Sequence, residues 1–153
     1  MTVVDEKSRM APLDAAALRR LSRALDCDGV VAAALFGSQV RGNAGPLSDV
    51  DIAVWHDPSL DPASRARLQL RLFAAASEAL RTDEVDVVML NRATPLLRHR
   101  ATRDAKRLVD RDPRQRIRFE ARSLIDYLDT KPLRAERSRG LRRRMEGGSF
   151  GRP

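Results

Sequence analysis

With 153 residues, 42% of them hydrophobic, and a net charge of +8, the chain has room for one compact domain and a tail, and too little for a second full domain. Its longest apolar runs, residues 30–36 and 85–90, are far too short to span a bilayer, and its acidic N-terminus lacks the positive region and long apolar stretch of a signal peptide. The only cysteine, Cys27, excludes an internal disulfide and reads as a small, semi-buried helix-end residue, so a soluble cytoplasmic protein is expected.

Residues 12–26 place Leu13, Ala17, Leu21, Ala24 and Leu25 at helical spacing, with Arg19, Arg20 and Arg23 on the other face. Gly29 interrupts, and the apolar run 30–36 reads as a buried strand ending at Gly37. A turn-rich stretch, 41–47, leads to a second strand over 49–55, closed by Asp57-Pro58. About a dozen residues join the two strands, which is short for a parallel crossover and fits a hairpin with an elaborate turn. Residues 62–81 repeat Leu68, Leu72, Ala76 and Leu80 in steps of four and predict a long helix, followed by a third strand over 85–90.

Two more helices are predicted over 95–104 and 113–129, the second carrying Ile117, Ala121, Leu124, Ile125 and Leu128 on one apolar face, with Leu108-Val109 as a short edge strand between them. From Lys131 large apolar residues become sparse, and the expectation is a folded domain over 10–130 followed by a basic helix and flexible tail over 131–153. The order implies an α/β fold with a small mixed sheet flanked by helices.

Charge is unevenly spread: residues 1–90 hold 10 Lys and Arg against 13 Asp and Glu, whereas residues 91–153 hold 19 against 8. The arginine-rich second part suits an anionic partner surface, nucleic acid or nucleotide phosphates, and equally suits solvated helix faces.

The chemistry concentrates elsewhere. Asp49 and Asp51 stand two apart on the second strand, so their carboxylates share a face and can converge on one ion. At about 5 Å and an effective dielectric of 20 they repel by about 3 kcal/mol, which a divalent cation offsets. Magnesium, with its hard oxygen ligands and retained positions for water and phosphate, suits the pair. Asp86 sits within the apolar third strand, where a carboxylate must face a metal, a partner charge or water, and it is the candidate third acid of two-metal phosphoryl chemistry, with Glu84 its main rival. Gly37-Ser38, where a strand gives way to a turn, offers close backbone approach, a hydroxyl and free N–H groups for phosphate, and Arg41 can steady the outer phosphates beside the turn residue Gly42.

Taken together, Gly37-Ser38, Arg41-Gly42, Ser48-Asp49-Val50-Asp51 and Val85-Asp86-Val87-Val88 resemble the minimal nucleotidyltransferases of the DNA polymerase β superfamily, with Ser38 and Asp49 separated by the ten residues of that family's signature. Leu90-Asn91-Arg92-Ala93 and Tyr127-Leu128-Asp129 are further similar to the MntA-type antitoxins, usually encoded beside HEPN-domain toxins of the HepT type. The resemblance implies a polymerase-β-like fold and transfer of AMP from ATP to a tyrosine of the RNase toxin, with release of pyrophosphate. Gly37, Ser38, Arg41 and Ser48 would then bind nucleotide, and Asp49, Asp51 and Asp86 would serve the nucleophile and, in all, two Mg²⁺ ions. Gln39-Val40 and the arginine-heavy stretch after Arg134 depart from the family pattern.

Two other readings stand beside this one. A non-catalytic module could neutralise a toxin by contact or bind RNA through its basic second part, with direct nucleic-acid binding ranked below protein contact. Transfer to a small-molecule hydroxyl ranks last, because enzymes of that kind carry an extra substrate domain. His56 and His99 are too isolated for a zinc site, Trp55 is expected to pack behind the sheet, and Tyr127 reads as a core-edge residue hydrogen-bonded at its tip.

Overall fold

A computed structural model describes residues 13–41 and 49–147, with Gln39 and Arg41 described by their backbone. The elements are α1 (Ala15–Leu25), β1 (Val30–Phe36), the one-turn α2 (Ser38–Arg41), β2 (Val50–His56), α3 (Pro62–Leu80), β3 (Val85–Met89), a 3-10 turn (Leu90–Arg92), α4 (Pro95–Arg103), β4 (Lys106–Asp110) and α5 (Pro113–Glu146). The expected elements are all present, and the basic stretch beyond residue 130 continues the last helix without a break, through Pro132.

Helix starts follow one local rule. Asp61, Thr94 and Asp112 cap α3, α4 and α5, each accepting a backbone N–H three residues on and each followed by proline at the first helical position. Hydrogen bonding from the Ser64 N–H holds the Asp61 carboxyl below the usual carboxylate range. A carboxyl depressed by folding stabilises at neutral pH, and that contribution fades as acid protonates it.

The strand order is β3-β2-β1-β4. β1 pairs antiparallel with both β2 and β4, whereas β2 and β3 are parallel, so the sheet is mixed and α3 is the crossover between its parallel strands. One face packs Leu21 and Leu25 of α1 and Leu68, Leu72 and Ala76 of α3 against Val50, Ile52 and Val54. The opposite face packs Ala101 of α4 and Phe119 of α5 against Ala53 and Trp55, with the Trp55 and Phe119 rings stacked at 5.0 Å. β2 is thus covered on both sides, which is why it reads as a nearly continuous apolar run. Among the described residues, no helix is long and apolar enough to cross a membrane.

The apolar face expected to bury α5 is not the one that packs. Ile117, Leu124, Ile125 and Leu128 are 48–55% exposed. The helix docks instead through Phe119, through buried Ser123, and through Arg116, whose guanidinium bonds Asp110 at 3.0 Å and Glu120 at 2.9 Å. Those charge-assisted bonds, the one to Asp110 first, raise the Arg116 pKa further. Tyr127 also corrects expectation: its ring lies 3.8 Å from that of His99 on α4, with the Arg134 guanidinium 4.1 Å from its centre, so it is held by its faces.

β3 ends one residue short of the expected Leu90, which begins the 3-10 turn. There the Asn91 amide replaces a strand neighbour: its Oδ1 accepts from the His56 N–H and its Nδ2 donates to the His56 carbonyl, both at 3.0 Å. Because His56 is buried, leaving both groups unpaired is costly. Asn91→Ala is expected to lower stability by about 2–4 kcal/mol, as measured by urea unfolding.

Candidate functional site

β1 delivers the chain to Gly37 at the end of the sheet, directly beside Asp51, because Phe36 is the register partner of Asp51 on β2. Gly37 has φ +77°, a conformation that L side chains rarely adopt, and an added Cβ would run into the Asp51 carboxylate. The backbone conformation therefore favours glycine at this position, and a side chain there would also displace the Asp51 carboxylate. The one-turn helix α2 begins at Ser38, and the Val40 N–H bonds the Gly37 carbonyl at 3.2 Å.

On the other side of β2, Asp51 is the register partner of Asp86. Parallel neighbours lie about 4.8 Å apart, and partners in register point to the same face. That face is the α4 side, since Ala53 and Val88, two residues further along each strand, pack in the cluster beneath α4 and α5. Asp49 stands one residue before β2, exposed, and is not on the strand where the sequence placed it. Glu84 likewise precedes β3, and its carbonyl accepts the Val50 N–H at 2.9 Å. Register thus puts Asp86, and not its rival Glu84, beside Asp51. Among the described residues, no three His, Cys, Asp or Glu side chains converge closely enough to hold a metal. The donor set still fits magnesium in kind, with hard carboxylates from two adjacent strands on one face. Ser48 and Gly42 lie outside the described residues, and Arg41 is placed by its backbone at the end of α2.

Two clefts flank the carboxylates and share Leu97 as a wall. One, of about 500 Å³, brings together Gly37, Asp51, Arg100, Arg103 and Asp104. The other, of about 550 Å³, runs along β3 from Asp86 to Met89 and is also lined by Arg65 of α3 and Arg92 of the 3-10 turn. Sequence reasoning missed these four arginines as site residues. Their only signal was charge, diluted among many arginines, and it is the antiparallel return of α3 and the placement of α4 over the sheet that brings them to the clefts that Asp51 and Asp86 also line. Arg103 pairs with Asp104 at 2.9 Å, whereas Arg100, Arg65 and Arg92 have no ion-pair partner among the described residues. Trp55 and His56 are buried packing residues, as expected, and Cys27 is half-buried beside the first core cluster.

The profile of the family described as polymerase beta, nucleotidyltransferase matches residues 21–114, well over half of the chain. Among solved structures, a toxin–antitoxin complex with AMP-PNP contains a chain 28% identical to this one, covering 84% of this chain and 96% of its own at a TM-score of 0.58. A chain of an MntA–HepT toxin–antitoxin complex is 25% identical, covering 84% and 97%, at a TM-score of 0.56. A third, from the complex of tri-AMPylated Shewanella oneidensis HEPN toxin with MNT antitoxin, is 27% identical, covering 82% and 90%, at 0.53. Among curated proteins, none matches in sequence.

The contact between Gly37 and Asp51 can be measured as a coupling. Gly37→Ala is expected to cost about 2–3 kcal/mol, of which roughly 1 kcal/mol is the left-handed backbone. In an Asp51→Ala background the penalty should fall to that backbone part. A full penalty there, by urea unfolding of the double-mutant cycle, would show that the carboxylate is not what crowds Gly37.

Proposed function

The chain belongs to the polymerase β nucleotidyltransferase family, and we propose that it is the antitoxin of a HEPN-type toxin–antitoxin pair that transfers AMP from ATP to a tyrosine of its HepT-like RNase toxin. The observation that carries this reading is the in-register pair Asp51 and Asp86, on one face of the sheet and beside Gly37. Supporting it, the similar chains come from a toxin–antitoxin complex with AMP-PNP, an MntA–HepT complex and a complex of tri-AMPylated HEPN toxin with MNT antitoxin.

In this mechanism the triphosphate lies in the cleft beside Gly37, with Gly37, Ser38, Arg41 and Ser48 around the phosphates. Arg100 and Arg103, which line the same cleft, add positive charge where pyrophosphate develops. Asp49, Asp51 and Asp86 would hold Mg²⁺, which when bound would neutralise the phosphates and activate the attacking oxygen. The tyrosine oxygen forms a bond to the α-phosphorus while the bond from that phosphorus to the bridging oxygen of the β-phosphate breaks. Pyrophosphate leaves, and the hydroxyl proton passes to Asp86 and then to water. The products are AMP-tyrosine, pyrophosphate and one proton.

A second reading, neutralisation by contact alone, is favoured by one feature: the exposed apolar residues Ile117, Leu124, Ile125 and Leu128 on α5. The two readings part at the carboxylates. Asp49→Ala combined with Asp51→Ala is expected to abolish transfer of label from α-labelled ATP with Mg²⁺ to the toxin encoded beside this chain, and to abolish protection of cells from it. Protection equal to that by the parent protein would make contact sufficient. Arg100→Ala combined with Arg103→Ala is expected to raise KM for ATP about tenfold, corresponding to roughly 1.4 kcal/mol, with a smaller change in kcat.

A further inference from the structure

β3 is an edge strand, and the cleft that holds Asp86 runs along its free side. Consecutive residues Asp86, Val87, Val88 and Met89 line that cleft, together with Arg65 and Gln69 of α3 and Arg92 of the 3-10 turn. Consecutive residues of a strand point to opposite faces, so a cleft touching all of them is seated on the edge of the strand. Its walls are α3, from one helix layer, and the start of α4, from the other. The groove has a volume of about 550 Å³.

The backbone is set for pairing. The Glu84 carbonyl turns inward to Val50, so by alternation Val85, Val87 and Met89 direct their backbone groups outward. The Val87 carbonyl is capped by the Gln69 side chain at 2.9 Å, a bond that an incoming N–H can replace. The Val87 N–H has no partner among the described residues. Unpaired edges invite another strand, and the charges here select which one. Asp86 stands near the start of the groove, while Arg65 and Arg92 stand toward its far end, without ion-pair partners among the described residues. About three residues separate Asp86 from the cationic end, roughly 10 Å of extended chain.

We propose that an extended acidic segment of the acceptor protein docks along β3 as a fifth strand, its hydroxyl residue beside Asp86 and its carboxylates, about three residues away, on Arg65 and Arg92. This rests on the nucleotidyl-transfer reading and adds to it the class of acceptor sequence. Main-chain pairing gives the affinity in such docking, and side-chain placement the specificity. Since an extended chain presents alternate side chains to one face, only alternate registers bring the hydroxyl to the α4 side, where Asp51 and Asp86 stand.

The probe is a synthetic peptide of about ten residues with a central tyrosine and a glutamate about three residues to either side, a design that serves both strand directions. Its counterpart carries lysines in place of the glutamates. With the full chain, AMP-PNP and Mg²⁺, the glutamate peptide should bind at least tenfold more tightly and shift the amide resonances of Val85, Val87 and Met89. Arg65→Glu combined with Arg92→Glu should reverse the preference while leaving ATP affinity unchanged. A glutamate peptide N-methylated at alternate positions should lose binding in one of its two phases. Equal binding of the two charge variants, an unreversed preference, or full binding of both N-methylated phases would overturn the proposal. Labelled ATP separates the underlying reading: selective docking without label on the peptide or on the neighbouring toxin leaves the groove assignment standing and removes the transfer reaction, whereas label on the toxin with no charge preference does the opposite.

Discussion

Everything at this site depends on the register of β2 between its two neighbours. Phe36, Asp51 and Asp86 lie in one row across three strands. That row places the turn at Gly37 against one side of Asp51 and a second carboxylate against the other. Slipping either pairing by one residue would send a carboxylate into the cluster of Leu72, Val50 and Ile52 on the opposite face, where an unpaired charge is intolerable. Ile52 and Val54 are buried on one side and Ala53 and Trp55 on the other, so β2 is clamped between the two helix layers with Asp51 at its open end.

A row of acids so close together is unfavourable by itself, because like charges about 5 Å apart repel by about 3 kcal/mol even at an effective dielectric of 20. The fold accepts that cost where the two clefts flank the carboxylates and arginines line them. Leu97 divides the space into a side facing Gly37, Arg100 and Arg103 and a side facing Arg65 and Arg92. On the proposed reading these sides belong to nucleotide and acceptor, and the carboxylates sit where the two must meet. Asn91 serves the same arrangement from a distance: by pairing with His56 it holds the turn that carries Arg92 against the end of β2.

α5 follows a different logic. It is fastened by a buried arginine, an aromatic stack and a tyrosine held between His99 and Arg134, while Ile117, Leu124, Ile125 and Leu128 face outward. Its later half carries Arg137, Arg139 and Arg142 to Arg144 with little apolar surface in contact with the domain. Much of the positive charge of the chain therefore lies on an exposed helix, apart from the arginines that line the clefts.

What the sequence determined by itself was local or periodic. Strand and helix order followed from apolar spacing, and the nearness of Gly37 to Asp51 from a fixed spacing within one hairpin. Tertiary structure decided what depends on residues far apart in the chain. It placed Asp86, and not Glu84, beside Asp51 through parallel register. It set Arg100 and Arg103 over one cleft and Arg65 and Arg92 over the other. It also turned the apolar face of α5 outward, because periodicity records that a helix has an apolar face and not what that face will meet. A carboxylate or guanidinium acquires its chemistry from neighbours within a few ångströms, and only chain folding brings those neighbours together.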